Sequence, residues 1–283
     1  CNVIGGKLVS GPFDRVASGG VCTDSRHLPP HAVFFALGGE KFDGNLFAPE
    51  ASRTAAAVVV SRVEEGMDPS CAVILVEDTL EALQKLASWW RSELTLTVIG
   101  LTGSNGKTST KDLTASVLSQ GFRTIATQGN LNNDIGVPQT LLRMAAHHRL
   151  GVVELGMNHP GEIAYLADLV RPTVALVNNA QREHLEFMHT VEAVARENGA
   201  VFAHLPADGV AVFPVGEVYT GVWKGVAAGC RWWTFGMGGE VSCTDATWAH
   251  GAWAITVATP QGGLSTRLHI AGRHNVTNAF AAV

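Results

Sequence analysis

The sequence has no apolar run that approaches the roughly 20 residues a helix needs to span a bilayer, and it shows no signal peptide. Its five cysteines are widely spaced and include no CxxC pair, so neither a disulfide framework nor a zinc site is expected. Basic residues are not in excess, since 20 lysines and arginines stand against 25 acidic residues for a net charge of −5. These absences argue against membrane-spanning, disulfide-rich and nucleic-acid-binding proteins, and they favour a reducing cytoplasm.

What the chain does have is length and apolar content. At 283 residues, with 46% hydrophobic residues, it exceeds the usual size of one domain, so we expect two. Residues 1–92 predict a small α/β domain, in which three short apolar runs are strands and a helix begins behind Asp78. The predicted strands are 32–37, 55–60 and 72–76. We place the domain boundary after residue 92, with the second domain over 93–283.

The second segment alternates strand and helix patterns, which predicts a mainly parallel, helix-covered α/β sheet. Its predicted strands are 95–101, 123–126, 151–155 and 173–177, and its predicted helices are 107–120, 137–144 and a segment from Pro160. Ligands of such sheets bind beyond the carboxyl ends of the strands. Further along, 252–258 and 264–270 predict an antiparallel hairpin with a four-residue loop at 260–263.

The stretch Thr-Gly-Ser-Asn-Gly-Lys-Thr-Ser at 102–109 is a glycine-rich turn between a predicted strand and a predicted helix, a pattern that holds nucleotide triphosphates. Its glycines let the backbone approach phosphate oxygens, its lysine can reach the β- and γ-phosphates, and its first threonine after the lysine can offer Mg²⁺ a hydroxyl. The spacing departs from the common Walker A form, which has glycine where Leu101 stands. A solvent-exposed turn with a chance lysine is the rival interpretation. The predicted nucleotide-binding residues are Gly103, Ser104, Asn105, Gly106, Lys107, Thr108 and Ser109.

Two further candidates lie at or beyond strand ends. Glu154 ends a buried strand, where a carboxylate is costly to bury unless paired, so we predict a Mg²⁺ ligand; a structural ion pair or a turn cap is the alternative. His184 lies in a polar run after the strand at 173–177 and could bind a second Mg²⁺ or orient a substrate carboxylate. A lone histidine is more often a packed or surface residue.

Two polar motifs have uses that the residues alone leave open. Asn275 and Asn278 lie at a predicted helix, where their amides suit adenine edges and helix caps equally well. In the first domain, Ser25 and Arg26 could hold a diphosphate or a uridine ring, and an ordinary loop is the alternative.

Eight motifs in order along the whole chain resemble the Mur ligases. They are Thr-Asp-Ser-Arg at 23–26, Phe-Phe-Ala-Leu at 34–37, Phe-Asp-Gly at 42–44, Thr-Gly-Ser-Asn-Gly-Lys-Thr at 102–108, Gly-Asn-Leu-Asn-Asn-Asp-Ile-Gly-Val-Pro at 129–138, Glu-Leu-Gly-Met-Asn at 154–158, Asn-Ala-Gln-Arg-Glu-His at 179–184 and Gly-Arg-His-Asn-Val-Thr-Asn-Ala at 272–279. The resemblance implies a UDP-binding domain, a central ATPase domain and a C-terminal Rossmann-like domain. It also implies that ATP phosphorylates a substrate carboxylate to an acyl phosphate, which an incoming amine converts to an amide.

Within the family, the runs at 130–133 and 154–157 are most similar to the ligase that joins D-alanyl-D-alanine to UDP-N-acetylmuramoyl-tripeptide in peptidoglycan precursor synthesis. The resemblance therefore implies these substrates, with ATP and Mg²⁺ as cofactors. We also expect a monomer. By matched position it assigns catalysis to Lys107, Glu154 and His184, one Mg²⁺ to Thr108 and Glu154, the second Mg²⁺ to His184, and the adenine to Asn278. Asn275 is a further predicted nucleotide-binding residue. The implied substrate-binding residues are Ser25, Arg26, Asp43, Asn133, Asn158 and Arg182.

Two departures from the family pattern limit what is carried over. Asn198 stands where many members have a carbamoylated lysine, and Glu197 points about 100° away from it on a helix, so a second Mg²⁺ must be held differently or more weakly. The family's C-terminal domain is absent, and the chain starts at Cys1 and stops within a predicted helix. We therefore expect missing residues at both ends and no ligation by these 283 residues alone.

Other readings of the motifs remain open. Another Mur-type ligase that adds a diamino acid, or a folylpolyglutamate synthase, would use the same scaffold. A P-loop module that binds nucleotide without catalysis is the alternative from a different class.

Overall fold

The computed structural model describes residues 1–39 and 42–283 of the chain. These residues form two compact units, one of Cys1–Leu94 with Leu141–Arg143 and the other of Thr95–Thr140 with Met144–Val283. Among the described residues, no helix is long and apolar enough to cross a membrane.

The first unit is built on a mixed sheet. Its strands are β1 Lys7–Ser10, β2 Val21–Cys22, β3 Val33–Phe35, β4 Gly38–Gly39, β5 Phe42–Asp43, β6 Ala57–Val60 and β7 Ala72–Leu75, and its helices are α1 Ala48–Ser52 and α2 Thr79–Ser92. Five strands form one sheet in the order β1-β7-β6-β3-β2, with parallel pairs except for β1 against β7. Phe34, Val58 and Val73 belong to one buried cluster. The three predicted strands are thereby confirmed as β3, β6 and β7.

The second unit contains a parallel sheet and a smaller antiparallel sheet. In chain order its elements are β8 Thr97–Thr102, α3 Lys107–Leu118, β9 Thr124–Ala126, α4 Gly136–Leu142 (which ends in the segment grouped with the first unit), β10 Leu150–Glu154, α5 Glu162–Val170, β11 Val174–Val177, α6 Leu185–Met188, α7 Val191–Gly199, β12 Val210–Pro214, α8 Thr220–Val226, β13 Arg231–Phe235, β14 Ser242–Ala249, β15 Ala252–Thr259, β16 Gly262–Leu268 and α9 Arg273–Ala282. The parallel sheet has the order β13-β12-β11-β8-β10-β9. The predicted α/β class, with a mainly parallel sheet and an antiparallel extension, is confirmed.

Register brings three strand ends to one edge of the parallel sheet. Glu154 of β10 pairs with Leu101 of β8, and Val177 of β11 pairs with Thr102 of β8. Because all three strands run in the same direction, the loops that leave them start side by side. The glycine-rich loop after Thr102 therefore lies between the segments that follow Glu154 and Val177.

The antiparallel sheet differs from the predicted hairpin in two ways. Gly262 pairs with Thr259, so the loop between β15 and β16 is the two residues 260–261 and the predicted four-residue loop is wrong. The ladder reaches Gly262 because a glycine can adopt its φ of +130° at the first strand position, and the Thr259 hydroxyl donates to the Gly262 carbonyl at 2.8 Å. A third strand, β14, pairs with β15 and was not predicted, because its mostly exposed, polar sequence lacks the alternation that marks a strand.

Candidate functional site

The glycine-rich loop at 102–109, called the P-loop below, has two glycines in the left-handed region. Gly103 has a φ of +136° and Gly106, the residue before α3, a φ of +77°. A Cβ on Gly103 would come within 3.0 Å of the backbone nitrogens of Asn178 and Asn179, and one on Gly106 within 2.7 Å of Asn278 Oδ1. Both positions therefore need glycine for backbone conformation and for space.

Polar residues after β11 hold the P-loop in place. The Asn105 carbonyl accepts hydrogen bonds from Asn178 Nδ2 at 2.7 Å and from Asn179 Nδ2 at 2.8 Å. The Asn105 backbone N–H donates to Asn179 Oδ1 at 2.9 Å, and the Gln181 N–H donates to Ser104 Oγ at 2.9 Å. The loop conformation is thus fixed by bonds from a neighbouring strand end as well as by its own turn.

Lys107 begins α3 and turns its ammonium back over the loop. Its Nζ donates to the Gly103 carbonyl at 2.6 Å, to the Ser104 carbonyl at 3.4 Å and to Glu183 Oε1 at 3.0 Å. The helix start adds unpaired N–H groups and a positive end of the macrodipole beside this ammonium. Ser109, in the same turn of α3, is partly buried. The arrangement is suited to an anion.

Glu154 is buried beside the P-loop, where the structure places it against Thr108. Its side chain is 1% exposed, its Oε1 accepts from Asn132 Nδ2 at 2.8 Å and from Thr108 Oγ1 at 3.4 Å, and its Oε2 is buried with no hydrogen-bond partner. A buried carboxylate with an unpaired oxygen next to a hydroxyl fits a hard divalent cation such as Mg²⁺. The structure therefore brings the predicted pair Thr108 and Glu154 together.

His184 has no comparable group of metal-binding side chains around it. Its Nε2 is 3.6 Å from Glu183 Oε1, its side chain is partly exposed, and its backbone has a φ of +47°. Within residues 1–39 and 42–283, no group of three or more His, Cys, Asp or Glu side chains is placed to hold a metal. A second metal at His184 has no preassembled ligand set in this part of the chain.

A cavity of about 350 Å³ opens beside Lys107 and His184. It is lined by Lys107, Asn132, Asn133, Asp134, Gly156, Met157, Asn158, Glu162, Tyr165, Leu166, Glu183 and His184. Two predicted substrate residues, Asn133 and Asn158, are in this wall, whereas Arg182 is an exposed residue beside Glu183 and does not line the cavity. Polar groups dominate the lining, which suits a charged or hydroxylated ligand.

Backbone interactions position the two cavity asparagines. Asn133 Oδ1 accepts from the Gly136 N–H at 2.9 Å and so caps the start of α4, while the Asn158 N–H donates to Glu162 Oε2 at 2.6 Å. Burial by itself would raise the pKa of Glu162, but hydrogen bonds from Asn158 and His159 outweigh it and hold the pKa below its ordinary value. Glu162 is therefore a fixed negative charge in the cavity wall.

Asn198, at the position of the family's carbamoylated lysine, has a structural role. Asn198, on α7, is 0% exposed and its Oδ1 accepts from Thr102 Oγ1 at 2.7 Å, while its Nδ2 has no partner. Glu197 accepts from the Gly161 and Ile163 N–H groups, both at 2.9 Å, at the start of α5. Asn198 supports the P-loop strand, and Glu197 caps a helix.

Asn275 and Asn278 are buried on α9 and connect it to the P-loop region. Asn275 Nδ2 donates to the Ala271 carbonyl at 2.8 Å, Asn278 Nδ2 donates to Asn275 Oδ1 at 3.0 Å, and Asn178 Nδ2 donates to Asn278 Oδ1 at 3.0 Å. Neither side chain caps α9 by accepting from its first N–H groups. A role in binding adenine stays a prediction.

In the first unit, the predicted substrate residues are held by local ion pairs. Arg26 donates from Nε and Nη2 to the two Asp24 oxygens, both at 2.8 Å, and these bonds hold the pKa of Asp24 well below its usual range. Asp43 accepts from Asn45 and from Arg62 Nη2 at 2.9 Å, which lowers its pKa. Ser25 starts the short 3₁₀ turn Ser25–His27, capped by Asp24.

Sequence reasoning missed Asn132, Glu162 and Glu183 as members of this site. Asn132 is in the quoted motif at 129–138 and Glu183 immediately precedes His184, so both were visible as polar neighbours of predicted residues. Glu162 carried no signal of its own, because a glutamate in the first turn of a helix is common.

A strand, a glycine-rich loop and a helix on a parallel sheet define a P-loop nucleotide-binding protein. Residues 101–283 match the family model for the Mur ligase middle domain, and the chain belongs to the Mur ligase family. The resemblance deduced from the motifs is confirmed.

Individual relatives agree with this family. The chain is 42% identical to the UDP-N-acetylmuramoyl-tripeptide–D-alanyl-D-alanine ligase of Escherichia coli over 267 residues, covering 93% of this chain and 58% of that protein. Its fold is similar to a crystal structure of MurF from Acinetobacter baumannii, with TM-score 0.85, 38% identity, and coverage of 93% and 58%. It is also similar to the MurF ligase of Thermotoga maritima in complex with ADP, with TM-score 0.83, 27% identity, and coverage of 94% and 62%. The chain thus spans a little over half the length of these relatives.

Proposed function

We propose that this chain acts in an ATP-dependent ligase that adds D-alanyl-D-alanine to UDP-N-acetylmuramoyl-tripeptide, a cytoplasmic step of peptidoglycan precursor synthesis. The observation that carries the proposal is the contact of Glu154 with Thr108 directly beside the P-loop lysine. The 42% identity over most of the chain to a relative that is named as this ligase supports the choice of substrates.

The P-loop residues would bind the nucleotide. Lys107 and the backbone N–H groups at the start of α3 would contact the phosphates, Thr108 and Glu154 would hold Mg²⁺, and Asn278 with Asn275 would lie at the adenine. When bound, Mg²⁺ neutralises negative charge on the phosphates during transfer. The unpaired Glu154 Oε2 supports this ligand assignment, because it supplies a buried negative oxygen that otherwise lacks a partner.

The chemistry requires a carboxylate and an amine beside the γ-phosphate. A carboxylate oxygen of the tripeptide attacks the γ-phosphorus and ADP leaves, which produces an acyl phosphate. The amine of D-alanyl-D-alanine would then attack the carbonyl carbon and give up a proton to solvent, and the bond from this carbon to the phosphate oxygen would break as the amide forms. Lys107, whose Nζ donates to the Gly103 carbonyl at 2.6 Å, would stabilise negative charge on the transferred group.

The remaining predicted residues would bind substrate. Asn133 and Asn158 line the cavity beside Lys107. Arg182 directly follows the segment 178–181, which hydrogen-bonds to the P-loop. Ser25, Arg26 and Asp43 would contact the UDP part in the first unit. His184 would bind a second Mg²⁺ or orient the substrate carboxylate. The described residues supply no further cluster of ligands for that metal.

Phosphate release by the whole protein tests the choice of ligase. We expect release to require UDP-tripeptide together with D-alanyl-D-alanine. Release with a diamino acid or with glutamate in place of the dipeptide would instead support one of the other ligases on this scaffold.

A Lys107→Ala variant separates a ligase from a nucleotide-binding module. We expect the whole protein to lose turnover by orders of magnitude while UDP-precursor binding is kept, because the lysine acts on the transferred phosphoryl group. Lys85→Ala, an exposed lysine of α2 paired with Glu81, is the matched control and should leave turnover unchanged. A Lys107→Ala protein with wild-type turnover would contradict the proposal.

A further inference from the structure

Glu183 is a largely buried carboxylate that the proposed function does not use. Its side chain is 14% exposed and that of Lys107 is 15% exposed. Its Oε1 accepts from Lys107 Nζ at 3.0 Å, and its Oε2 is buried and accepts no hydrogen bond. Lys107 therefore supplies most of the compensation for this negative charge, with His184 Nε2 more distant at 3.6 Å.

Lys107 in turn has no free donor. An ammonium carries three N–H groups, and Nζ has three acceptors, which are the carbonyls of Gly103 and Ser104 and the carboxylate of Glu183. A phosphate oxygen can reach Nζ only by displacing one of them. The two carbonyls belong to the P-loop itself, within four residues of Lys107, and move with it. Glu183 comes from a separate segment and is the acceptor that carries a charge of the same sign as phosphate.

We propose that Glu183 competes with the phosphates of the nucleotide for Lys107. The inference rests on the proposed function, because it takes the P-loop ligand to be a nucleotide. The ion pair positions Lys107 over the loop. When a phosphate oxygen takes Nζ, the carboxylate is left buried without its partner and close to another anion. The Glu183 charge therefore lowers nucleotide affinity until a second cation, from metal or substrate, replaces Lys107 as its partner.

The isosteric variant Glu183→Gln tests this competition in the 283-residue chain. We expect ADP, titrated calorimetrically in the presence of EDTA, to bind about threefold or more tightly than to wild type, because the charged competitor for the lysine is removed. Adenosine has no phosphate to reach Lys107, so its affinity should not change. Glu183→Ala is a second variant and should shift ADP affinity in the same direction.

Glu162→Gln is the matched control. Glu162 lines the same cavity, but its side chain accepts from Asn158 N–H and lies 3.0 Å from His159 Nδ1 rather than pairing with Lys107. Its neutralisation removes the same charge without touching the ion pair, so it should change ADP affinity less than Glu183→Gln does. An equal gain in the two variants would assign the effect to the general field of the cavity and overturn the competition.

The two proposals fail in different ways. ADP affinity that is unchanged or weaker in both Glu183 variants, while wild type binds ADP, overturns the competition and leaves the proposed function standing. A wild-type chain that binds neither ADP nor ATP contradicts the proposed function and overturns the competition with it.

Discussion

Gly106 is constrained at the residue scale by backbone conformation and by packing. Its φ of +77° is unfavourable for any residue with a Cβ, and an added Cβ would come within 2.7 and 2.8 Å of the two amide atoms of Asn278. Asn278 cannot retreat freely, because it accepts from Asn178 at 3.0 Å and donates to Asn275 at 3.0 Å. One methyl group would therefore disturb the P-loop, the segment that follows β11, and α9 together.

We expect Gly106→Ala to destabilise the second unit by more than Gly129→Ala. Gly129 also has a positive φ, of +53°, but nothing lies within 4 Å of an added Cβ, so its cost is the backbone strain alone, about 1 kcal/mol. Denaturant unfolding of the two variants gives the difference. Equal costs would mean that the contact with Asn278 relaxes without effect. Gly106→Ala should also weaken ADP binding, which calorimetry measures.

The sequence indicated which residues form the P-loop more readily than which side chains those residues contact. The Gly-Ser-Asn-Gly-Lys-Thr run predicts a phosphate-binding loop from local sequence alone, because two glycines and a lysine stand directly before a helix. The contact of Lys107 with Glu183 joins positions 76 residues apart, and the bond of Thr102 with Asn198 joins positions 96 apart. Such pairs depend on the register of the strands and on helix placement, which a single sequence does not specify.

At the scale of elements, α2 shows how a local signal defines a helix start. Asp78 Oδ1 accepts from the N–H groups of Leu80 at 2.7 Å and Glu81 at 3.0 Å, which satisfies two donors that lack partners within the helix. The buried residues Ala82, Leu83 and Ala87 then repeat at helical spacing. The predicted start behind Asp78 is confirmed, because cap and periodicity agree.

We expect Asp78→Ala to lower the free energy of unfolding of the first unit by about 1 kcal/mol, the usual cost of losing an N-cap. Glu77→Ala, which removes the neighbouring exposed carboxylate, is the control and should change stability little. Chemical denaturation of both variants measures the effect. Equal stabilities for the two variants would show that water replaces the cap at no cost.

The antiparallel sheet shows where element prediction fails. β15 carries Ile255 and Val257 in a buried alternating pattern and was predicted, whereas β14 is exposed at most positions. An exposed edge strand gains its stability from pairing with β15, so its own sequence need not alternate. The two-residue turn was missed because Gly262 and Gly263 are typical of loops, yet both pair with β15.

At the scale of the whole molecule, the order of motifs was more predictive than any one of them. The alternation of strand and helix patterns predicted a parallel sheet. In such a sheet Thr102, Glu154 and Val177 lie at one edge whatever the conformation of the loops. The lack of a preassembled set of metal ligands around His184 among the described residues could not be foreseen, because it depends on the path of the polar segment between β11 and α6. Side-chain direction in such a segment follows tertiary contacts.

Asn198 provides a prediction for the whole protein, under the proposed ligase activity. A lysine carbamate forms from a free amine and CO₂, but the Asn198 side chain is an amide, is 0% exposed and is bonded to Thr102 Oγ1 at 2.7 Å. The Glu197 carboxylate accepts from the N–H groups of Gly161 and Ile163, so it does not replace the carbamate.

We therefore expect the rate of substrate-dependent phosphate release to be the same in buffer depleted of CO₂ and in buffer supplemented with bicarbonate. A family member that has the lysine at this position, assayed in parallel, serves as the positive control. A rate that fell on depletion of CO₂ and returned with bicarbonate would contradict this expectation. It would mean that the activity needs a carbamate formed at a residue other than Asn198.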